Sequence, residues 1–353
     1  MHAAAISPRG GVARRVASLW GQAIIEYVLI IAVISLVVAF AGPQVSGAIR
    51  NQFSSISSAL ANGVSGTVQR PSTPSTPSQG SGGGSGGSSS GSGSNNPDKE
   101  QKDYLDDMKT VTGKDPKDWT LEDQKKVAED IAEKGTASAA FPKAKDAMDA
   151  GTKWTVTLND GKTLEYRIIG INHDDLADGS GKAGLTFLAT STIIASRMNP
   201  MNKNAGGWEK SELRAKMNSG EIWNLMPADF QSKVKSVRKM TNNVGGGSAN
   251  KNAAVTATSD KLFLLSYSEI VPTSYWASDY PWTSSEGTQY EAFQGKVTNN
   301  HSGNDCLKIG GNWWERSVRP NHFADFFSVY SPGDPSNYNN ATGSIYVCPA
   351  FCF

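Results

Sequence analysis

Tyr275, Trp276, Tyr280 and Trp282 crowd into one short stretch, interleaved with Ser274, Asp279 and Ser284. An aromatic face stacks on the C–H surface of a sugar or an apolar side chain while small polar neighbours hydrogen-bond, so the pattern suits binding of a glycan or a peptide. The same rings also suit the filling of a core that lacks long helices. Other chemistries find less support. His173, His301 and His322 lie far apart with no metal-ligand spacing, and no Gly-x-Ser-x-Gly elbow is present. Asp174, Asp178 and Gly179 echo part of a calcium loop, but Leu176 and Leu185 stand where ligands are needed. No metal, no cofactor and no catalytic residue is expected, and the chain reads as a non-enzyme. Cys348 and Cys352, if both lie in one continuing strand, are about 13 Å apart, beyond the roughly 7 Å reach of a disulfide. A bridge would therefore join Cys306 to Cys348 or to Cys352, and three free buried thiols fit equally well.

A second feature with chemical meaning is Glu26, the single charge in an apolar run of 19 residues, 23–41. As a helix that run would span about 28 Å, close to the thickness of a bilayer core. Arg9, Arg14 and Arg15 precede it without an acidic residue, which keeps the N-terminus cytoplasmic and places residues after about 42 outside the membrane. Val45, Ile49, Phe53, Ile56, Leu60 and Val64 continue at helical spacing. A carboxylate in hydrocarbon demands a partner.

Gly21, Gln22, Glu26 and Tyr27, with the basic leader before them and Pro43 beyond, resemble the processing site of type IVb (Flp/Tad-like) pilins over residues 14–66. The resemblance implies a leader of residues 1–21, cleavage by a prepilin peptidase after Gly21, and a pilin-like helix over 22–69. It also implies that Glu26 meets the freed amine of Gln22 of a neighbouring subunit, so the membrane, the peptidase and other pilin subunits become partners. Two other readings stay open. Ala39, Phe40 and Ala41 have the shape of a signal-peptidase site, which would release a secreted structural protein cut at Ala41, and an uncleaved anchor would look similar.

The elements that must position these residues differ sharply in charge. The whole chain carries 34 Lys and Arg against 33 Asp and Glu. Residues 1–70 hold five Arg and one Glu, 71–97 hold no charge, 98–150 hold 10 Lys against 14 acids, and 151–353 hold 19 basic and 18 acidic residues. No segment beyond the leader is basic, so no nucleic-acid partner is expected. Residues 70–97 form a linker: 22 of the 27 residues from 71 to 97 are Gly, Ser or Pro, a composition that predicts a flexible tether. Residues 98–150 predict a small acidic helical module, with a capping-box start at Thr120 and Asp123.

Residues 151–353 predict an α+β domain. Trp154, Val156 and Leu158 alternate, Asp160 and Gly161 mark a hairpin turn, and Leu164, Tyr166 and Ile168 alternate back. Helices are predicted near 208–218 and 227–237, and strands over 262–267, 313–318, 323–330 and 344–351. The strings at 169–179, 206–214, 280–286, 313–317 and 347–353 resemble an uncharacterised domain of exported and surface proteins of Gram-positive bacteria. Trp313, Trp314, Arg316 and Ser317, with the apolar C-terminal strand, are similar to C-type-lectin-like folds, including the formylglycine-generating-enzyme group. The lectin signatures Glu-Pro-Asn and Trp-Asn-Asp are absent. The expected architecture is thus a long N-terminal pilin-like transmembrane helix, a linker, a helical module and a C-type-lectin-like domain. The expected function is a cell-surface adhesin of a Tad-like filament that displays a head for an extracellular glycan or protein ligand. The alternative is a membrane-tethered enzyme with its active site in that head.

Overall fold

The computed structural model describes residues 97–247, 250–298 and 300–353. In chain order these form helices α1 (Pro97–Gly113), α2 (Leu121–Lys134) and α3 (Phe141–Ala150), then strands β1 (Lys153–Thr157), β2 (Thr163–Ile171), β3 (Leu185–Ala189) and β4 (Ala195–Ser196). Short helices α4 (Glu212–Asn218), α5 (Glu221–Leu225) and α6 (Ala228–Gln231) follow, then β5 (Val237–Asn242), β6 (Val255–Asp260), β7 (Leu262–Phe263) and α7 (Tyr267–Ile270). Strands β8 (Trp313–Val318), β9 (Asp325–Tyr330), β10 (Asp334–Asn340), β11 (Ile345–Tyr346) and β12 (Ala350–Cys352) complete the order.

The alternation in 153–168 produces the β1–β2 hairpin, in which Trp154 pairs with Tyr166 and Val156 with Leu164. Leu158 N–H reaches the Lys162 carbonyl at 2.8 Å, so the turn closes over Asn159, Asp160 and Gly161 and is longer than the dipeptide signal implied. One sheet has the order β1-β2-β3-β12-β7 and is antiparallel throughout. A second has the order β10-β9-β8-β11-β4, with β8 and β11 parallel, and β5–β6 forms a separate ribbon. Strand β12 lies inside the first sheet, where Phe351 packs against Phe187 and edge-on to Tyr166 and Phe230.

Helix α2 begins as its capping box predicts: Asp123 N–H donates to Thr120 Oγ1 at 3.1 Å, and Thr120 N–H donates to the Asp123 carboxylate at 2.9 Å. Its buried stripe of Val127, Ala128 and Ile131 faces β3, and burial of each large aliphatic side chain contributes roughly 1.5–3 kcal/mol. Tyr166 Oη donates to Gln124 at 3.1 Å and Trp154 Nε1 donates to the Pro116 carbonyl at 2.9 Å. The helices of 98–150 therefore share one core with the strands and do not stand apart as a module.

The expected fold class is corrected accordingly. A C-terminal domain standing apart from the helices of 98–150 is overturned by their shared core, and the expected long transmembrane helix is not among the described elements. Among the described residues no helix is long and apolar enough to cross a membrane. Helix α1 has 17 residues, and eight of them are Asp, Glu or Lys, which hydrocarbon would not accept. What stands is a mixed helix-and-sheet body. Residues 1–96 lie outside the described residues, and with them the leader, the expected pilin-like helix, nearly all of the linker, and Gly21, Gln22, Glu26 and Tyr27.

Two local expectations also change. The helix predicted over 227–237 stops at Gln231, and β5 instead turns Val237, Lys239 and Thr241 inward. A lysine on the buried face hid that strand from its own alternation. The strand predicted over 262–267 ends at Phe263, because Glu269 accepts the Ser266 N–H at 2.9 Å and starts α7 there.

Candidate functional site

The four aromatics singled out above do come together, as a ladder running from solvent into the core. Tyr275 is 67% exposed. Its ring meets Trp276 edge-on at 5.4 Å, Trp276 meets Tyr280 at 6.4 Å, and Tyr280 meets Trp282 at 6.3 Å. Trp276 and Tyr280 are half-buried, and the Trp276 indole N–H has no acceptor among the described residues. Trp282 is buried and donates to the Asn250 carbonyl at 3.0 Å, so it anchors the ladder and cannot stack on a ligand.

That anchor links the ladder to three further loops. Asn204 is the hub: its N–H donates to the Phe323 carbonyl at 2.8 Å, and its side-chain amide donates to the carbonyls of His322 and Asp325 at 2.8 and 2.9 Å. Gly246 N–H donates to Asn204 Oδ1 at 3.2 Å. A Cβ on Gly246 would lie 2.0 Å from the Arg319 carbonyl oxygen, so only glycine lets these loops approach this closely. Asn250 donates to the Gly245 carbonyl at 2.7 Å, which closes the chain of contacts back to Trp282. On this platform Met201 is 63%, Val244 51% and Phe323 68% exposed, and the His322 ring stacks on Phe323. Arg319 lies over the exposed Tyr338 ring at 3.3 Å. Met201, Val244 and Phe323 escaped the sequence reading; their one local sign is apolar residues set among Asn and Gly in 199–207, 242–247 and 319–323.

Beneath the platform lies a buried ionic centre drawn from distant segments. Arg316 on β8 donates to both Glu269 oxygens (2.5 and 2.9 Å), to Thr241 Oγ1 (2.9 Å), and to the carbonyls of Leu264 (2.7 Å) and Glu286 (2.6 Å). Lys239 Nζ lies 2.6 Å from Asp174 and 2.5 Å from Glu269. Burial works against both carboxylates, but the Lys239 charge beside Asp174, and the Arg316 and Lys239 charges beside Glu269, hold each below its ordinary range. His173 stacks on Tyr290 with centroids 4.0 Å apart and sits 3.1 Å from Glu291. Burial disfavours its imidazolium, yet Glu291 and Asp174 outweigh that and raise its pKa.

Two further carboxyls are buried without a countercharge of their own. Glu286 accepts from Asn242 N–H at 2.7 Å and from the Ser317 hydroxyl, and burial still pushes it up to about 7. Neither oxygen of Glu315 has a partner among the described residues, and burial, with repulsion from Glu286 and Asp334, lifts it well above the carboxylate range. A carboxyl whose folded pKa is raised supplies stability that is complete below its unfolded value near 4.3 and is lost as pH rises through the folded value. The urea midpoint is therefore expected to fall between about pH 5 and pH 8, Glu286 alone accounting for roughly 2–3 kcal/mol. A Glu286→Gln, Glu315→Gln double variant should flatten that slope, and an unchanged slope would refute the assignment.

The remaining candidates are placed as follows. Cys306, Cys348 and Cys352 are all free, so of the two readings left open the free thiols stand, with Cys306 only half-buried. Cys352 Sγ faces Thr186 Oγ1 at 3.3 Å and Asp174 at 3.7 Å, turned towards the ionic centre and held there by the pairing of β12 with β3. Asp174 points inward and Asp178 accepts from Ser180 N–H at 2.9 Å, so the calcium-loop echo is a polar turn. Among the described residues no cluster of His, Cys, Asp and Glu is arranged to hold a metal. An open cleft of about 530 Å³ lined by Gly310, Gly311, Asn312, Tyr330 and Tyr346, among others, has no acid, base or thiol in its lining.

Residues 183–353 match a family described as a domain of unknown function, DUF6273. No curated protein and no solved structure matches the chain. The match takes in the platform loops, the aromatic ladder and most of the ionic centre, while Asp174, His173 and helices α1–α3 lie before it.

Proposed function

We propose that this chain is a surface-displayed recognition protein of a pilin-like filament. Residues 97–353 form a binding head, carried by the Gly/Ser/Pro-rich segment on an N-terminal part that a prepilin peptidase cuts after Gly21. The observation that carries the proposal is the loop platform: four loops knit through Asn204 and Asn250 present Met201, Val244, Tyr275 and Phe323 to solvent. Folding gains nothing from leaving such side chains exposed, whereas a ligand would cover them. The half-buried rings beside Tyr275, set among Ser and Asp, favour a glycan. The acids and bases that an enzyme would need are instead locked inside, with Lys239, Glu269 and Arg316 at most 3% exposed, which favours binding over catalysis.

A glycan array probed with the full chain tests this. Binding is expected, and Tyr275→Ala should weaken it about tenfold, equivalent to roughly 1.4 kcal/mol for one lost stacking ring, with the unfolding midpoint unchanged. The chain recovered from its own cell surface should begin at Gln22. Failure to bind any glycan, or full binding by the Tyr275 variant, would sink the recognition part, and a start at Gly42 would sink the filament part.

A further inference from the structure

We propose that Lys239 and Asp174 condense into an internal amide, a covalent cross-link that the protein forms by itself. Lys239 Nζ and Asp174 Oδ1 are 2.6 Å apart, and both side chains are 3% exposed. They come from separate elements, β5 and the turn after β2, so the link would staple the ribbon to the first sheet. A second carboxylate, Glu269 on α7, touches the same amine at 2.5 Å. The Phe263 ring lies 4.4 Å from Nζ and helps keep the amine dry. An amine, an acid and a proton carrier held in contact away from water are the groups that condensation requires.

The step balances without an added reagent. Glu269 relays a proton from the Lys239 ammonium to one Asp174 oxygen, and the freed amine lone pair attacks Cγ of the now neutral acid. A second Nζ proton then passes to that same oxygen, which leaves as water. The C–O bond breaks as the C–N bond is kept, so one ammonium and one carboxylate become one amide and one water. The acid is already gripped for this. Tyr290 Oη donates to its oxygens at 2.9 and 3.0 Å, and Thr186 Oγ1 donates at 2.7 Å, where charge would build on the tetrahedral intermediate. The product also suits the core. Lys239 and Asp174 lose their charges together, and Glu269 stays paired with Arg316, so no buried charge is orphaned.

Tryptic mapping of the denatured full-length chain decides this independently of the glycan experiment and of any N-terminal processing. The expected product is one branched peptide joining 168–182 to 239–251, lighter by one water than the sum, with no cleavage after Lys239. Lys239→Arg and Glu269→Gln should each yield the 168–182 peptide unlinked. Unlinked 168–182 and cleavage after Lys239 in the wild-type chain would overturn the proposal, whether or not the variants fold. Full linkage in the Glu269 variant would overturn the role given to Glu269.

Discussion

Replacing Arg316 by methionine is expected to destabilise the protein by about 3–5 kcal/mol, or to prevent its folding altogether. The side chain is fully buried, and its guanidinium holds Glu269 in a two-point contact while satisfying the carbonyls of Leu264 and Glu286. Methionine fills much of the volume but removes every one of those donors. Glu269 would be left to Lys239, which also serves Asp174 and, once joined to it as an amide, carries no charge. Leaving one member of a buried ionic group unpaired costs far more than the intact group contributes. Arg316→Lys should fall between, since an ammonium restores the charge but cannot span both Glu269 oxygens and the two carbonyls. Urea unfolding followed by tryptophan fluorescence measures the effect, and a midpoint within error of wild type would contradict it.

Gly184→Ala should lower the melting temperature by about 5–15 °C, a loss of roughly 2–4 kcal/mol. A Cβ there would lie 1.8 Å from the Ala128 carbonyl oxygen and 2.6 Å from its carbon, and both atoms are helix backbone that no rotamer change can move aside. Helix α2 would have to lift from β3, opening the packing of Val127 and Ile131 and stretching the Tyr166–Gln124 hydrogen bond. Gly113→Ala is the control, because an added methyl there meets nothing within 4 Å and should leave the melting temperature unchanged. Equal melting temperatures for the two variants would mean that α2 is not seated as described.

What could be read from the chain was whatever local physics determines. Trp154, Val156, Leu164 and Tyr166 declare the first hairpin, because alternation and a Gly turn need no distant partner. Thr120 and Asp123 declare the start of α2, and the strand around Trp313 and Val318 keeps its predicted bounds. Strand β10 could not be read, since Asp334, Pro335 and three Asn give it the composition of a loop; its strand form comes from pairing with β9. The ionic centre was hidden for a related reason. Lys239 and Asp174 are 65 residues apart, and Arg316 and Glu269 are 47 apart, so no window of sequence contains either pair. Of the aromatic ladder the sequence marked the members but not their depth, and it did not separate exposed Tyr275 from buried Trp282.

The position of β12 has a consequence for the order of assembly. Residues 350–352 sit between β3 and β7, so the first sheet cannot close until the chain has been made through that point. A nascent chain would hold the edges of β3 and β7 open and unpaired, exposed to any strand that could take the vacant place. The residues that seal the sheet therefore act as a timer, keeping the fold unfinished until synthesis has passed all of the platform loops.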